Sequence, residues 1–188
     1  MADQGSGPIG GEVGASALLQ AQDDPLTPEG KVRVGVISDT HGYMDPRALR
    51  LLQGMDHILH AGDIGDDCII AELAGIAEVT TVRGNVDREG PTSRYPLEQT
   101  LELEGRRIYL THELKPPKRE GDPVLEQYRQ SGVDVVVYGH SHIAYQQQWC
   151  DLLFFNPGAA GKRRFKVVPS VGILTLTPSS IEGRILPL

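Results

Sequence analysis

The sequence has few cysteines, few aromatic residues and no long apolar run. Cys68 and Cys150 are the only cysteines among 188 residues, and no CxxC pair occurs. They do not form a disulfide framework, which favours a reducing compartment. No apolar run approaches the roughly 20 residues that a bilayer-spanning helix needs, and the N-terminus lacks the basic and apolar regions of a signal peptide. These absences predict a cytoplasmic globular protein.

Positive charge is also scarce, and the negative charge is unevenly distributed. Of the net charge of −7, residues 1–30 account for −5, which leaves −2 for residues 31–188. A nearly neutral domain gives no strong signal for binding nucleic acid, and no membrane partner is expected. The Gly- and Pro-rich composition of residues 1–30 predicts a flexible acidic tail, followed by a single domain over 31–188.

Apolar patterning from residue 31 onward first alternates strands with helices and then forms hairpins. Strands are predicted at 32–38, 56–62, 77–84 and 133–139, and helices at 46–54, 66–76 and 122–131. Strand pairs are predicted within 99–113, within 142–158 and at 170–177 with 180–188. This mixture predicts an α/β fold, a four-layer α-β-β-α sandwich of two mixed sheets flanked by helices.

Carboxylate, amide and imidazole side chains follow five of these predicted strands. Ligand sites in α/β proteins gather at the carboxyl ends of strands, so these side chains are expected at one edge. They are Asp39, His41, Asp63, Asn85, Asp87, His112, His140 and His142.

Carboxylates and neutral imidazoles are ligands of first-row divalent cations. Taken singly, the Asp-x-His at 39–41 is more often a strand-end cap, and the Gly-Asn at 84–85 is a common turn. Taken together, these side chains are too many for one tetrahedral metal site. They match two cations that share a bridging carboxylate.

The ordered motifs resemble those of the calcineurin-like metallophosphoesterases, and most closely the small YfcE-type phosphodiesterase branch. The resemblance covers residues 32–158 and agrees with the sandwich of sheets and helices. It rests on Asp39-x-His41, Gly62-Asp63, Gly84-Asn85-x-Asp87, Thr111-His112, Gly139-His140-Ser141-His142 and Asn156-Pro157-Gly158. Two positions depart from the family pattern, Glu113 in place of a glycine and Ala159 in place of a hydroxyl residue.

The resemblance implies a role for each of these side chains. The first metal would be held by Asp39, His41 and His142, the second by Asn85, His112 and His140, and Asp63 would bridge them. Asp87 would act near the leaving group or orient a ligand. Asp87 and His112 are the predicted catalytic residues.

The predicted function is hydrolysis of a small phosphodiester by a hydroxide that a dinuclear metal centre activates. Mn²⁺ is the predicted metal, with Fe, Ni, Zn or Mg as alternatives. Two other functions stay open: a catalytically weak metal-binding scaffold for protein partners, resembling the small retromer subunit, and a structural or regulatory metal protein without turnover. The apolar hairpin at 142–158 is compatible with a homodimer.

Overall fold

The computed structural model of the protein describes residues 30–163 and 167–188. All but the last residue of the predicted tail at 1–30 lies outside these ranges. In chain order the first half contains β1 Val32–Ile37, α1 Pro46–Leu51, β2 His57–His60, α2 Cys68–Ala74, β3 Glu78–Thr81 and a 3₁₀ helix Pro91–Arg94. The second half contains β4 Glu98–Leu103, β5 Arg106–Thr111, α3 Pro123–Gln130, β6 Val135–Val137, β7 Tyr145–Trp149, β8 Leu152–Asn156, β9 Ser170–Leu176 and β10 Ile181–Pro187.

The ten strands form two mixed five-stranded sheets, which confirms the predicted α/β class. One sheet has the order β10-β9-β1-β2-β3 and the other β4-β5-β6-β8-β7. Apolar side chains from both sheets, among them Val34 and Leu59 from one and Ile108 and Phe155 from the other, fill the space between them. The burial of these side chains holds the two sheets face to face.

Helices cover the outer faces of the sheets. Leu52, Ile69 and Leu73 pack with Ile37 and Ile58 on the outside of the first sheet. Leu125 and Tyr128 of α3 pack against side chains of the second sheet, including Phe154. The order of layers is therefore helix, sheet, sheet, helix.

Parallel pairing fixes where the polar strand ends meet. β1 pairs in parallel with β2, and β2 with β3, while β5 pairs in parallel with β6. All five strands consequently deliver their following residues to one end of the sandwich, in agreement with the expectation from the sequence.

The predicted and observed elements differ mainly in their ends. α1 ends at Leu51 rather than at 54, and β6 spans three residues rather than seven. The 3₁₀ helix at Pro91–Arg94 was not predicted. Within the described residues, no helix combines the length and apolar character required to cross a membrane. The cytoplasmic location and the homodimer stay predictions.

Candidate metal centre

The loops after the strands hold five of the candidate ligands in left-handed backbone conformations. The φ angles are +55° for Asp39, +49° for His41, +54° for Asp63, +68° for His140 and +59° for His142. A non-glycine residue rarely adopts such angles, and each costs about 1–3 kcal/mol. The surrounding fold therefore maintains strain at these positions, a pattern typical of functional sites.

Four of the predicted ligands form one cluster, in which one ligand atom from each lies within 4.8 Å of the others. They are Asp39, His41, Asp63 and His142. The Nε2 atoms of the two histidines are 3.3 Å apart. Nε2 of His41 is 3.7 Å from Oδ2 of Asp63, and Nε2 of His142 is 3.2 Å from Oδ1 of Asp39.

A second group adjoins this cluster on the other side of Asp63. Oδ1 of Asn85 lies 2.9 Å from Nδ1 of His140 and 3.2 Å from Nε2 of His112. Nε2 of His112 is also 3.3 Å from Oδ1 of Asp63. The two oxygens of Asp63 thus face different groups, with Oδ2 toward His41 and Oδ1 toward His112.

The donor atoms of the first cluster fit a divalent cation. Asp39 is fully buried, and its Oδ1 accepts no hydrogen bond from any residue that the structure describes. A buried carboxylate oxygen that accepts no hydrogen bond is costly unless a cation or proton compensates its charge. Nitrogen and carboxylate donors are the types that Mn²⁺, Fe²⁺, Ni²⁺ and Zn²⁺ accept.

Neighbouring groups orient these donors. Nδ1 of His112 lies 2.7 Å from the carbonyl oxygen of Ala61. Because a carbonyl only accepts, Nδ1 carries the proton and Nε2 faces Asp63 and Asn85, the arrangement usual for a metal-binding imidazole. Oδ2 of Asp39 accepts hydrogen bonds from the Ser38 hydroxyl at 2.7 Å and the His140 amide at 3.1 Å.

Electrostatic coupling between Asp63 and His112 favours their charged forms in the absence of a cation. Burial acts to raise the pKa of Asp63, but hydrogen bonds from His112 and the Val86 amide outweigh it and leave the pKa below its usual value. Burial acts to lower the pKa of His112, but the Asp63 carboxylate and the Ala61 carbonyl raise it overall. A cation beside Asp63 would compete with the proton that the charged form of His112 carries.

Asp87 lies behind the cluster and is fully buried. Its Oδ2 accepts the backbone N–H groups of Ile64 at 2.9 Å and Gly84 at 2.8 Å, and its Oδ1 accepts that of Gly65 at 2.9 Å. The carboxylate thereby ties the loop after β2 to the loop after β3. This geometry suits an orienting role, one of the two roles that the resemblance implied.

The two loops also approach each other closely at Gly84. A Cβ atom at this position would lie 2.1 Å from Oδ1 and 2.3 Å from the amide nitrogen of Asp63. Only a glycine leaves room for this approach. Its position beside Asp63 follows from tertiary packing and has no signal in the sequence beyond the residue itself.

A further buried histidine supports the site without reaching it. Nδ1 of His60 accepts the Gly62 amide at 3.2 Å, and Nε2 lies 3.0 Å from the Thr40 hydroxyl, which donates to the Ile64 carbonyl. The sequence favours a structural role for His60 over a role beside the ligands. It does not identify Ser38 as a support, although Ser38 directly precedes Asp39.

Comparison with known proteins gives matches over most of the chain. A profile of the calcineurin-like phosphoesterase superfamily domain matches residues 32–179. A probable metallophosphoesterase from Methanothermobacter thermautotrophicus is 31% identical over 162 residues, 81% of this chain and 91% of that protein. Phosphodiesterase YfcE from Escherichia coli is 38% identical over 88 residues, 44% of each chain. The predicted resemblance is confirmed.

The fold is also shared with a solved structure of Vps29. The crystal structure of Vps29 from Chaetomium thermophilum superposes with a TM-score of 0.68 at 22% sequence identity, and covers 84% of this chain and 93% of that one. At this level of identity the likeness establishes a common architecture only.

Proposed function

Because the chain belongs to the calcineurin-like phosphoesterase superfamily, we propose that it is a metal-dependent phosphodiesterase with a dinuclear centre. The proposal rests on the orientation of the Asp63 carboxylate, whose Oδ2 faces His41 and whose Oδ1 faces His112. A carboxylate placed between two donor groups is the arrangement required to bridge two cations.

Each of the two donor groups would hold one cation. Asp39, His41 and His142 would hold the first, and Asn85, His112 and His140 the second, with Asp63 shared. We propose Mn²⁺ as the metal. When bound, two divalent cations supply a water of lowered pKa and stabilise negative charge on the phosphoryl oxygens.

The chain itself contributes orientation. Ala61 fixes the tautomer of His112, Ser38 fixes one oxygen of Asp39, and Asp87 fixes the loops that carry Asp63 and Asn85. Preorganised donors do not have to be rearranged during the reaction, which is a major source of rate enhancement. Asp87 is assigned a positioning role because both of its oxygens already accept backbone hydrogen bonds.

The test compares Asp63→Asn with a matched control, Asp66→Asn, using bis(p-nitrophenyl) phosphate as the diester and p-nitrophenyl phosphate as the monoester. Asp66 is exposed, three residues away, and accepts a hydrogen bond from the Cys68 amide at 2.9 Å, a bond that Asn retains. We expect the metal-loaded protein to hydrolyse the diester preferentially. Asp63→Asn should lose activity and bound metal, and Asp66→Asn should keep both.

Metal analysis of the purified variants separates loss of the centre from loss of chemistry alone. Two metal equivalents and unchanged turnover in Asp63→Asn would show that this carboxylate does not bridge. The alternative function, a metal-binding scaffold for protein partners, draws support from the fold shared with Vps29. Failure of the metal-loaded protein to hydrolyse either ester would favour it.

A further inference from the structure

A cavity of about 410 Å³ adjoins the Asn85 and His112 side of the metal centre. This volume lies within the range of small-molecule sites. Besides these two residues, its lining includes the side chains of Arg83, Arg88 and Leu97. Leu97 is 62% exposed. The metal centre therefore opens into a space that carries both cationic and apolar groups.

The two arginines are available to a ligand. Arg88 is exposed and makes no ion pair with any residue in the described ranges. Arg83 is half-buried, and its Nη1 donates to the Ser93 carbonyl at 3.0 Å, which anchors the side chain without neutralising its charge. A guanidinium group presents several N–H donors in one plane and matches phosphate in a bidentate manner.

Two acidic side chains also line the cavity, but within the described part of the chain neither pairs with an arginine there. Glu98 accepts a hydrogen bond from the Tyr109 hydroxyl. Glu113 is exposed. The positive charges of the arginines are therefore not paired with these carboxylates and can attract an anionic ligand. The carboxylates suit hydroxyl or amino groups of the same molecule.

We propose that this cavity binds the remainder of the substrate beyond the scissile phosphodiester, and that Arg83 and Arg88 bind a second anionic group there. The substrate class is then a phosphodiester that carries a further phosphate. The inference rests on the proposed function, because it places the scissile group at the metal centre. It goes beyond that function by naming what distinguishes a good substrate from a poor one.

The test uses two chromogenic diesters that differ by one phosphate, thymidine 5′-(p-nitrophenyl phosphate) and the same compound with a 3′-phosphate. Charge-assisted hydrogen bonds to the added phosphate should raise kcat/KM by about tenfold to a hundredfold. Arg88→Gln should remove most of this preference, and Arg88→Lys should retain part of it. Arg163→Gln is the matched control, because Arg163 is also exposed but lies on the His142 side of the centre.

Calorimetric binding of thymidine 3′,5′-bisphosphate and thymidine 5′-monophosphate to the metal-loaded protein gives a readout that does not depend on turnover. Turnover without a preference for the added phosphate overturns the cavity assignment and leaves the phosphodiesterase standing. A binding preference that requires Arg88, without turnover, overturns the phosphodiesterase and supports the cavity. Equal losses in Arg88→Gln and Arg163→Gln indicate general charge attraction and overturn the assignment. Absence of both turnover and preference overturns both proposals.

Discussion

Replacement of Gly84 by alanine tests whether the contact between two loops sets the position of the shared carboxylate. The added Cβ would lie 2.1 Å from Oδ1 and 2.3 Å from the amide nitrogen of Asp63, whereas real Cβ contacts essentially never fall below 3.0 Å. Relief therefore requires a displacement of about 1 Å, and a displacement of that size in an active site costs about a hundredfold in rate. The side chain cannot relieve the contact by rotating, because one of the two close atoms belongs to the backbone.

We expect Gly84→Ala to lose about a hundredfold or more in kcat/KM on bis(p-nitrophenyl) phosphate and to bind fewer than two metal equivalents by elemental analysis. Overpacking should also lower the free energy of unfolding by about 1–3 kcal/mol. Gly75→Ala is the control, since Gly75 has a φ of −70° at the end of α2, away from the centre, and should keep wild-type activity and metal content. Wild-type turnover and two bound metals in Gly84→Ala would refute the reasoning.

Three further predictions concern stability. Burial lowers the pKa of His60 to about 4, against about 6.5 in the unfolded chain. Between these two pH values only the unfolded chain takes up the proton. Stability from this group is therefore present at neutral pH and decreases toward pH 4. Its contribution to the free energy of unfolding of the metal-free protein should fall by about 2 kcal/mol between pH 7 and pH 5. In urea titrations, the change in the free energy of unfolding between pH 7 and pH 5 should be smaller by this amount in His60→Gln and unchanged in Thr40→Ser. The same change in His60→Gln as in the wild type would contradict the prediction. Asp87→Ala leaves the N–H groups of Ile64, Gly84 and Gly65 without this acceptor, and the first two belong to buried residues. The variant should lower the free energy of unfolding by about 3 kcal/mol, and unchanged urea midpoints would argue against the positioning role. Mn²⁺ at a hundred times its dissociation constant should stabilise the protein by about 2.7 kcal/mol, reversibly with a chelator; an unaltered melting temperature would indicate that the folded protein does not bind this metal preferentially.

The elements with strong periodicity could be predicted, whereas their ends could not. The alternating pattern of 99–113 gave two strands with a turn at Gly105, as observed between Leu103 and Arg106. The ends of α1 and β6 and the 3₁₀ helix at Pro91–Arg94 were not foreseen. Short elements end where packing and local hydrogen bonds stop, and these depend on neighbours that a local pattern does not contain.

The identities of the candidate ligands were determined by the sequence, because buried β-branched runs that end in Asp, Asn and His are visible without coordinates. Their convergence into two groups around Asp63 depended on parallel pairing within each sheet and on the packing of one sheet against the other, which brings residues about a hundred positions apart to within a few ångströms. The close approach of Gly84 to Asp63, the hydrogen bonds from Ile64 and Gly65 to Asp87 and the arginine-lined cavity were decided by tertiary structure alone. Each of these features is a relation between distant segments, and a relation of that kind exists only once the sheets have packed.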